Sequence, residues 1–126
     1  MSGALEGMRI LLVEDEFLVA ALLADVLEDE GAAVIGPAAT LAEGLRLAEA
    51  GGFDVAVLDW NLDGERSTPL AQVLASSGCP FVIATGYGAV EPEFAAVPIL
   101  AKPFETAQLL TVLCGLCASQ GSGSAV

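Results

Sequence analysis

Residues 55–66 read VAVLDWNLDGER, and two structures can be written through them. Asp59, Asn61, Asp63 and Gly64 fit the opening half of a calcium-loop signature, D-x-[DN]-x-[DN]-G, whereas Val55 to Leu58 form an unbroken apolar run of the kind that makes a buried strand. Counting on from Asp59 decides between them. The twelfth position of such a loop must supply a bidentate Glu, and here it is Leu70; the segment before the loop also reads as strand rather than entering helix. Asp63 and Gly64 become turn residues leading toward the next helix, and Asp59 becomes a polar residue closing a strand.

Four further runs share this character: Ile10 to Val13, Ala33 to Ile35, Phe81 to Ala84 and Ile99 to Ala101. Continuous rather than alternating hydrophobicity predicts parallel strands buried on both faces. Helical patterns lie between them. Val19, Leu22, Leu23, Val26 and Leu27 form a stripe that Gly31 ends; Thr40 and Glu43 make a capping box ahead of Leu41, Leu45 and Ala48, stopped by Gly51-Gly52. Thr68-Pro69 opens a third helix that ends by Gly78, and a last one starts near Glu105 with Leu109, Leu113 and Leu116 inward. Only Ala89 to Val97 remains between the fourth and fifth runs, and it holds Pro92 and meets Pro98, so a helix there is short or absent. The pattern predicts an α/β fold, a doubly wound five-stranded parallel sheet of order 2-1-3-4-5. Residues 1–126 read as one domain with a core over about 8–117 and a polar, flexible tail at 119–126.

Composition narrows the chemistry. The net charge of -13 rests on 17 acids against Arg9, Arg46, Arg66 and Lys102, so no basic face exists for nucleic acid. Without histidine the chain has no imidazole base, imidazole ligand or phosphohistidine of its own. Cys79, Cys114 and Cys117 give no disulfide framework, which suits a reducing compartment, and the CGLC spacing at 114–117 lacks the second ligand pair of a zinc site, which favours ordinary helix cysteines. No apolar stretch is long enough for a membrane span or signal peptide, so a soluble cytoplasmic protein is expected.

Sheets of this class bind ligands beyond the carboxyl ends of their strands. There the chain places Glu14 and Asp15, Asp59, Thr85 and Lys102. A purely structural account leaves Lys102 neutralising acids and Thr85 closing a strand. As a set they suggest more. Three converging carboxylates repel unless a cation joins them, and Mg²⁺ suits Asp15 and Asp59 with Glu14 in support and a backbone carbonyl near Asn61. An ammonium and a hydroxyl suit phosphoryl oxygens, and Asp59 is the natural nucleophile toward phosphorus.

The acidic pair in LLVEDE, the aspartate in VLDWNLDGE, the hydroxyl in IATGYG and the lysine-proline in AKPF together strongly resemble the receiver domain of two-component response regulators, over about Met8 to Cys117. The resemblance implies a flavodoxin-like receiver in which Asp59 accepts phosphoryl from the phosphohistidine of a sensor histidine kinase or histidine phosphotransfer protein. It further implies that Glu14, Asp15, Asp59 and the Asn61 carbonyl hold Mg²⁺, that Thr85 and Lys102 contact the phosphate, and that Lys102-Pro103 is joined by a cis bond. DWNLDGE followed by PFVIATGYG resembles the FAT GUY group of stand-alone receivers, with Ile83 in place of the group's phenylalanine. Ile99 stands where receivers usually carry a switching aromatic, so Tyr87 is the candidate switch aromatic instead.

These features imply a single-domain response regulator that signals by binding a downstream protein, without turnover of an external substrate. A phosphate sink or shuttle in a phosphorelay is the alternative. An aspartyl-phosphate hydrolase fits less well, because its second acid would fall at Asn61, which is neither acid nor base. Nucleotide binding has no glycine-rich loop after the first strand, where Glu14, Asp15 and Glu16 would repel phosphate.

Overall fold

The computed structural model describes residues 3–86 and 90–125, with side chains through residue 116. Five parallel strands, β1 (Arg9–Val13), β2 (Ala33–Ala38), β3 (Val55–Asp59), β4 (Phe81–Thr85) and β5 (Ile99–Ala101), form one sheet in the order β2-β1-β3-β4-β5. Four helices accompany them: α1 (Phe17–Asp29), α2 (Leu41–Ala50), α3 (Thr68–Ser76) and α4 (Thr106–Ala125).

The continuous apolar runs follow from two half-cores. Leu11, Val13, Ala56, Leu58, Phe81 and Ile83 face the side packed by α2 and α3, while Ile10, Leu12, Val55, Val57 and Val82 face α1 and α4. Successive strand residues point to opposite faces, so a sheet covered twice needs apolar side chains at every position. β3 is buried along its whole length, which delivers Asp59 to the sheet edge on a rigid support.

Thr40 caps α2: its hydroxyl accepts from the Glu43 amide at 3.1 Å, and the Glu43 carboxylate accepts from the Ala39 amide at 3.0 Å. Thr40→Ala is expected to lower unfolding stability in urea by about 1 kcal/mol, the usual worth of a cap, without altering the site.

Several elements differ from expectation. β2 runs on to Ala38 through a cis Gly36-Pro37 bond, with Gly36 at φ +101°, so the strand continues past residues that ordinarily punctuate one. On α1, Ala20, Leu23 and Leu27 face inward and Leu22 stands 56% exposed, because the helix meets the sheet along a narrower stripe. Leu5, ahead of the expected core boundary, is buried against this half of the molecule, its amide donating to the Glu30 carbonyl. At the other end, the segment expected as a tail from residue 119 continues α4 to Ala125, with no proline to stop the propagating helix. The β4–β5 connection accords with expectation: within its described part the helix is short, a single 3₁₀ turn, Pro92–Phe94, anchored by buried Phe94, whose ring packs edge-on against Trp60 at 5.7 Å and Phe81 at 6.2 Å.

The residues after Asp59 form a small ribbon rather than a plain turn. Asn61–Leu62 pairs antiparallel with Glu65–Arg66 around Asp63 and Gly64, at φ +52° and +92°. Two consecutive positive φ values define the tight hairpin for which Asp-Gly is suited.

Candidate functional site

β1, β3 and β5 end side by side or one strand apart, and their carboxyl ends gather the residues singled out in the sequence. Glu14 and Asp59 are buried and Asp15 half-buried, and one carboxylate oxygen from each lies within 4.8 Å of the others. Lys102 closes the group: its Nζ is 3.2 Å from Glu14 Oε1 and 3.2 Å from Asp59 Oδ2. The chain reverses into α4 through a cis Lys102-Pro103 bond, as the lysine-proline pair led one to expect. Thr85 ends β4, and its carbonyl accepts from the Lys102 amide at 2.8 Å, so the strand carrying the hydroxyl and the residue carrying the ammonium are tied directly.

Backbone amides hold the acids in place. The Glu16 amide donates to Glu14 Oε2 at 3.1 Å, the Asp63 amide to Asp15 Oδ2 at 3.0 Å, and the Asn61 amide to Asp59 Oδ1 at 3.4 Å. The hairpin after β3 is thus hung from the acid cluster, and the Asn61 side chain steadies its turn by accepting from the Gly64 amide at 2.9 Å. Asp15, Asp59, Asn61, Asp63, Gly86 and Lys102 line an open cleft of about 420 Å³.

Electrostatics single out Asp59. Burial pushes its carboxyl up to about 7, the hydrogen-bonding contact with Asp15 and the charge of Glu14 add to the rise, and Lys102 only partly offsets them. For Lys102, burial works against the ammonium, but the charges of Asp59 and Glu14 outweigh it and leave its pKa above the ordinary value. One ammonium, paired with two of the three carboxylates, leaves the site short of positive charge. Oxygen-only donors, open access and excess negative charge fit a small hard cation such as Mg²⁺, which keeps several waters of its own.

Comparison with known proteins agrees with this geometry. The model of the response regulator receiver domain matches residues 10–113. The chain belongs to the response regulator receiver family. Among solved structures, SdrG from Sphingomonas melonis Fr1 is 43% identical, with a TM-score of 0.77 and coverage of 93% of this chain and 99% of that one. A CheY-like receiver domain protein from Methanospirillum hungatei JF-1 is 28% identical at a TM-score of 0.82, covering 92% and 98%. The transcriptional regulatory protein PdtaR of Mycobacterium tuberculosis (strain H37Rv) is 28% identical over 111 residues, which is 83% of this chain and 54% of PdtaR. The chain therefore spans about half the length of the curated relatives it matches.

Of the residues expected in the receiver's site, Glu14, Asp15, Asp59, Asn61 and Lys102 come together at the sheet edge and Thr85 ends the adjacent β4, whereas Tyr87 lies outside the described residues. Ile99, at the position of the missing aromatic, is 44% exposed on β5. Cys114 is a half-buried free thiol in α4, apart from the acid cluster. Sequence reasoning missed the Asp63 amide, which holds Asp15 from the turn of the hairpin and whose only local signal was the Asp63-Gly64 pair.

Proposed function

We propose that this receiver takes a phosphoryl group onto Asp59 from the phosphohistidine of a sensor histidine kinase or phosphotransfer protein and passes the change to a downstream protein. The observation that carries this reading is Asp59 at the end of a fully buried strand, between two acids and within 3.2 Å of Lys102. Glu14, Asp15, Asp59 and the Asn61 carbonyl would hold Mg²⁺, which neutralises the cluster and orients phosphoryl oxygens when bound.

Ionised Asp59 presents an oxygen to phosphorus as nucleophile, and as the O–P bond forms the donor's P–N bond breaks and its imidazole leaves. Lys102 leaves the ion pair with Asp59 Oδ2 to stabilise a phosphoryl oxygen, and the Thr85 hydroxyl donates to another. The acyl phosphate retains the energy of the phosphohistidine it replaces, so no external substrate is turned over and the chain acts as a switch. The motif from Ala84 to Tyr87 supports placement in the FAT GUY group.

An apolar groove of about 410 Å³ beside the site suits a protein partner. Val19, Leu22 and Leu23 of α1 line it with Pro103 and Phe104, and Phe17 and Leu18 stand exposed on the same helix. Among the described residues no helix is long and apolar enough to cross a membrane, and Cys79 and Cys114 are free thiols, which accords with a cytoplasmic setting.

The test is transfer from a panel of radiolabelled, phosphorylated histidine kinases and phosphotransfer proteins, with Asp59→Asn as control. Rapid loss of label from at least one donor with its appearance on the wild type alone is expected. Labelling of Asp59→Asn to the same extent would refute the assignment.

A further inference from the structure

Ser67 is completely buried and lies at the N-cap of α3, where a serine hydroxyl ordinarily accepts from the helix's own free amides. Here it makes no such bond. The hydroxyl turns back and donates to the backbone carbonyl of Asp59 at 2.5 Å, while the Ser67 amide donates to the next carbonyl, Trp60, at 3.0 Å. One residue thus holds two consecutive carbonyls at the point where β3 leaves the sheet.

The Trp60 amide is fixed from the opposite side by the Ala84 carbonyl at 2.8 Å. The peptide carrying the phosphoacceptor is therefore clamped between β4 and the start of α3. The hairpin 61–66 makes this possible, because it returns the chain so that Ser67 comes within hydrogen-bonding reach of the Asp59 carbonyl. α3 forgoes a side-chain cap, commonly worth about 1 kcal/mol, and the hydroxyl is spent on the strand end instead.

We infer that Ser67 is a positioning residue for phosphoryl transfer: its hydroxyl fixes the main chain of Asp59, and so aims the carboxylate between Glu14, Asp15 and Lys102. Near-attack geometry is sensitive to such supports, since a displacement of about 1 Å can cost a hundredfold in rate. Removing the hydroxyl frees one end of the clamp while the strand pairing remains. The expected loss is about tenfold, smaller than that limit.

The inference rests on Asp59 being the phosphoacceptor, and the experiment separates the two. Wild type, Ser67→Ala and Ser67→Thr are phosphorylated with acetyl phosphate in Mg²⁺, well below the unfolding temperature of each. The first-order rate constant at saturating donor and the final phosphoryl stoichiometry are both measured. Expected for Ser67→Ala is a rate constant about tenfold lower with half-saturation by donor unchanged. Ser67→Thr, which keeps the hydroxyl but crowds a closed space, should restore the rate constant even where its thermal stability is the lower of the two.

A Ser67→Ala rate constant within twofold of wild type overturns the inference. So does a loss confined to stoichiometry, which reports misfolded protein, or rate constants that fall in the order of the variants' stabilities. Should Ser67→Thr not fold, the rate constant and half-saturation of Ser67→Ala decide alone. No phosphorylation of the wild type would instead refute the role of Asp59 itself.

Discussion

Lys102→Ala is expected to slow phosphorylation of the receiver by about a hundredfold, the scale seen when a single pre-aimed donor to a developing oxyanion is removed. Lys102 Nζ reaches both Glu14 and Asp59 at 3.2 Å, and the two carboxylates are buried. Without it the phosphoryl oxygens would meet a site of carboxylates with no side-chain cation. The same change should destabilise the metal-free protein near neutral pH by up to about 3 kcal/mol, since taking one partner from a buried pair leaves the other charged and unpaired.

The Lys102 pKa is raised, so its stabilising contribution is intact below the ordinary lysine value of 10.5 and is lost only as pH rises through the still higher folded value. Urea unfolding at a pH above about 7, where Asp59 is ionised, and below 10.5 therefore reads the full effect. Stopped-flow phosphorylation at saturating Mg²⁺ reads the kinetic one. A variant that keeps wild-type rate and stability would show that Lys102 is only a nearby countercharge.

Asp59→Asn is expected to make the metal-free protein more stable while abolishing its function. Burial and the neighbouring acids raise the Asp59 carboxyl from 3.8 to about 7. The folded state thus binds the proton more tightly than the unfolded chain, and the sign follows from that. Below pH 3.8 Asp59 is protonated in both states and costs nothing; the cost grows as pH rises and reaches its plateau above about 7, where the folded protein must carry the ionised group.

At about 1.4 kcal/mol per pKa unit the penalty is at most about 4 kcal/mol, and an amide of the same shape removes part of it. In chelator, Asp59→Asn should melt higher by on the order of 5 °C at pH 8, with the gap closing as pH falls toward 4. Mg²⁺ should raise the melting temperature of the wild type more than that of the variant. A gap that is constant with pH, or a variant that melts lower at pH 8, would contradict the buried-acid description of the site.

Much of this arrangement is legible in the sequence because the sheet is covered on both faces. That makes Val55 to Leu58 and Ile10 to Val13 continuous apolar runs, and it makes the first polar residue after each run the residue at the sheet edge. Glu14, Asp59 and Lys102 could be placed together from that rule alone, with their meeting at 3.2 Å left to the structure.

Other features leave a weaker trace. The hairpin strands are two residues each, too short for any alternation to show. Leu22 belongs to an apolar helical pattern yet faces solvent, because hydrophobicity does not distinguish a side chain packed on the sheet from one bordering an open groove. In sequence Thr68 reads as the cap of α3, but the structure puts Thr68 inside the helix and Ser67 at the N-cap, and only the returning hairpin reveals that the Ser67 hydroxyl serves β3.

The most direct measurement is to incubate the protein with acetyl phosphate and Mg²⁺ and to locate the incorporated phosphoryl group by intact-mass and peptide mass spectrometry, with chelator and Asp59→Asn as controls. One phosphoryl group per chain is expected, labile to base, mapped to Asp59, dependent on Mg²⁺ and absent from the variant. Equal incorporation into Asp59→Asn, incorporation at another residue, or none into the wild type would contradict the assignment of Asp59 as phosphoacceptor.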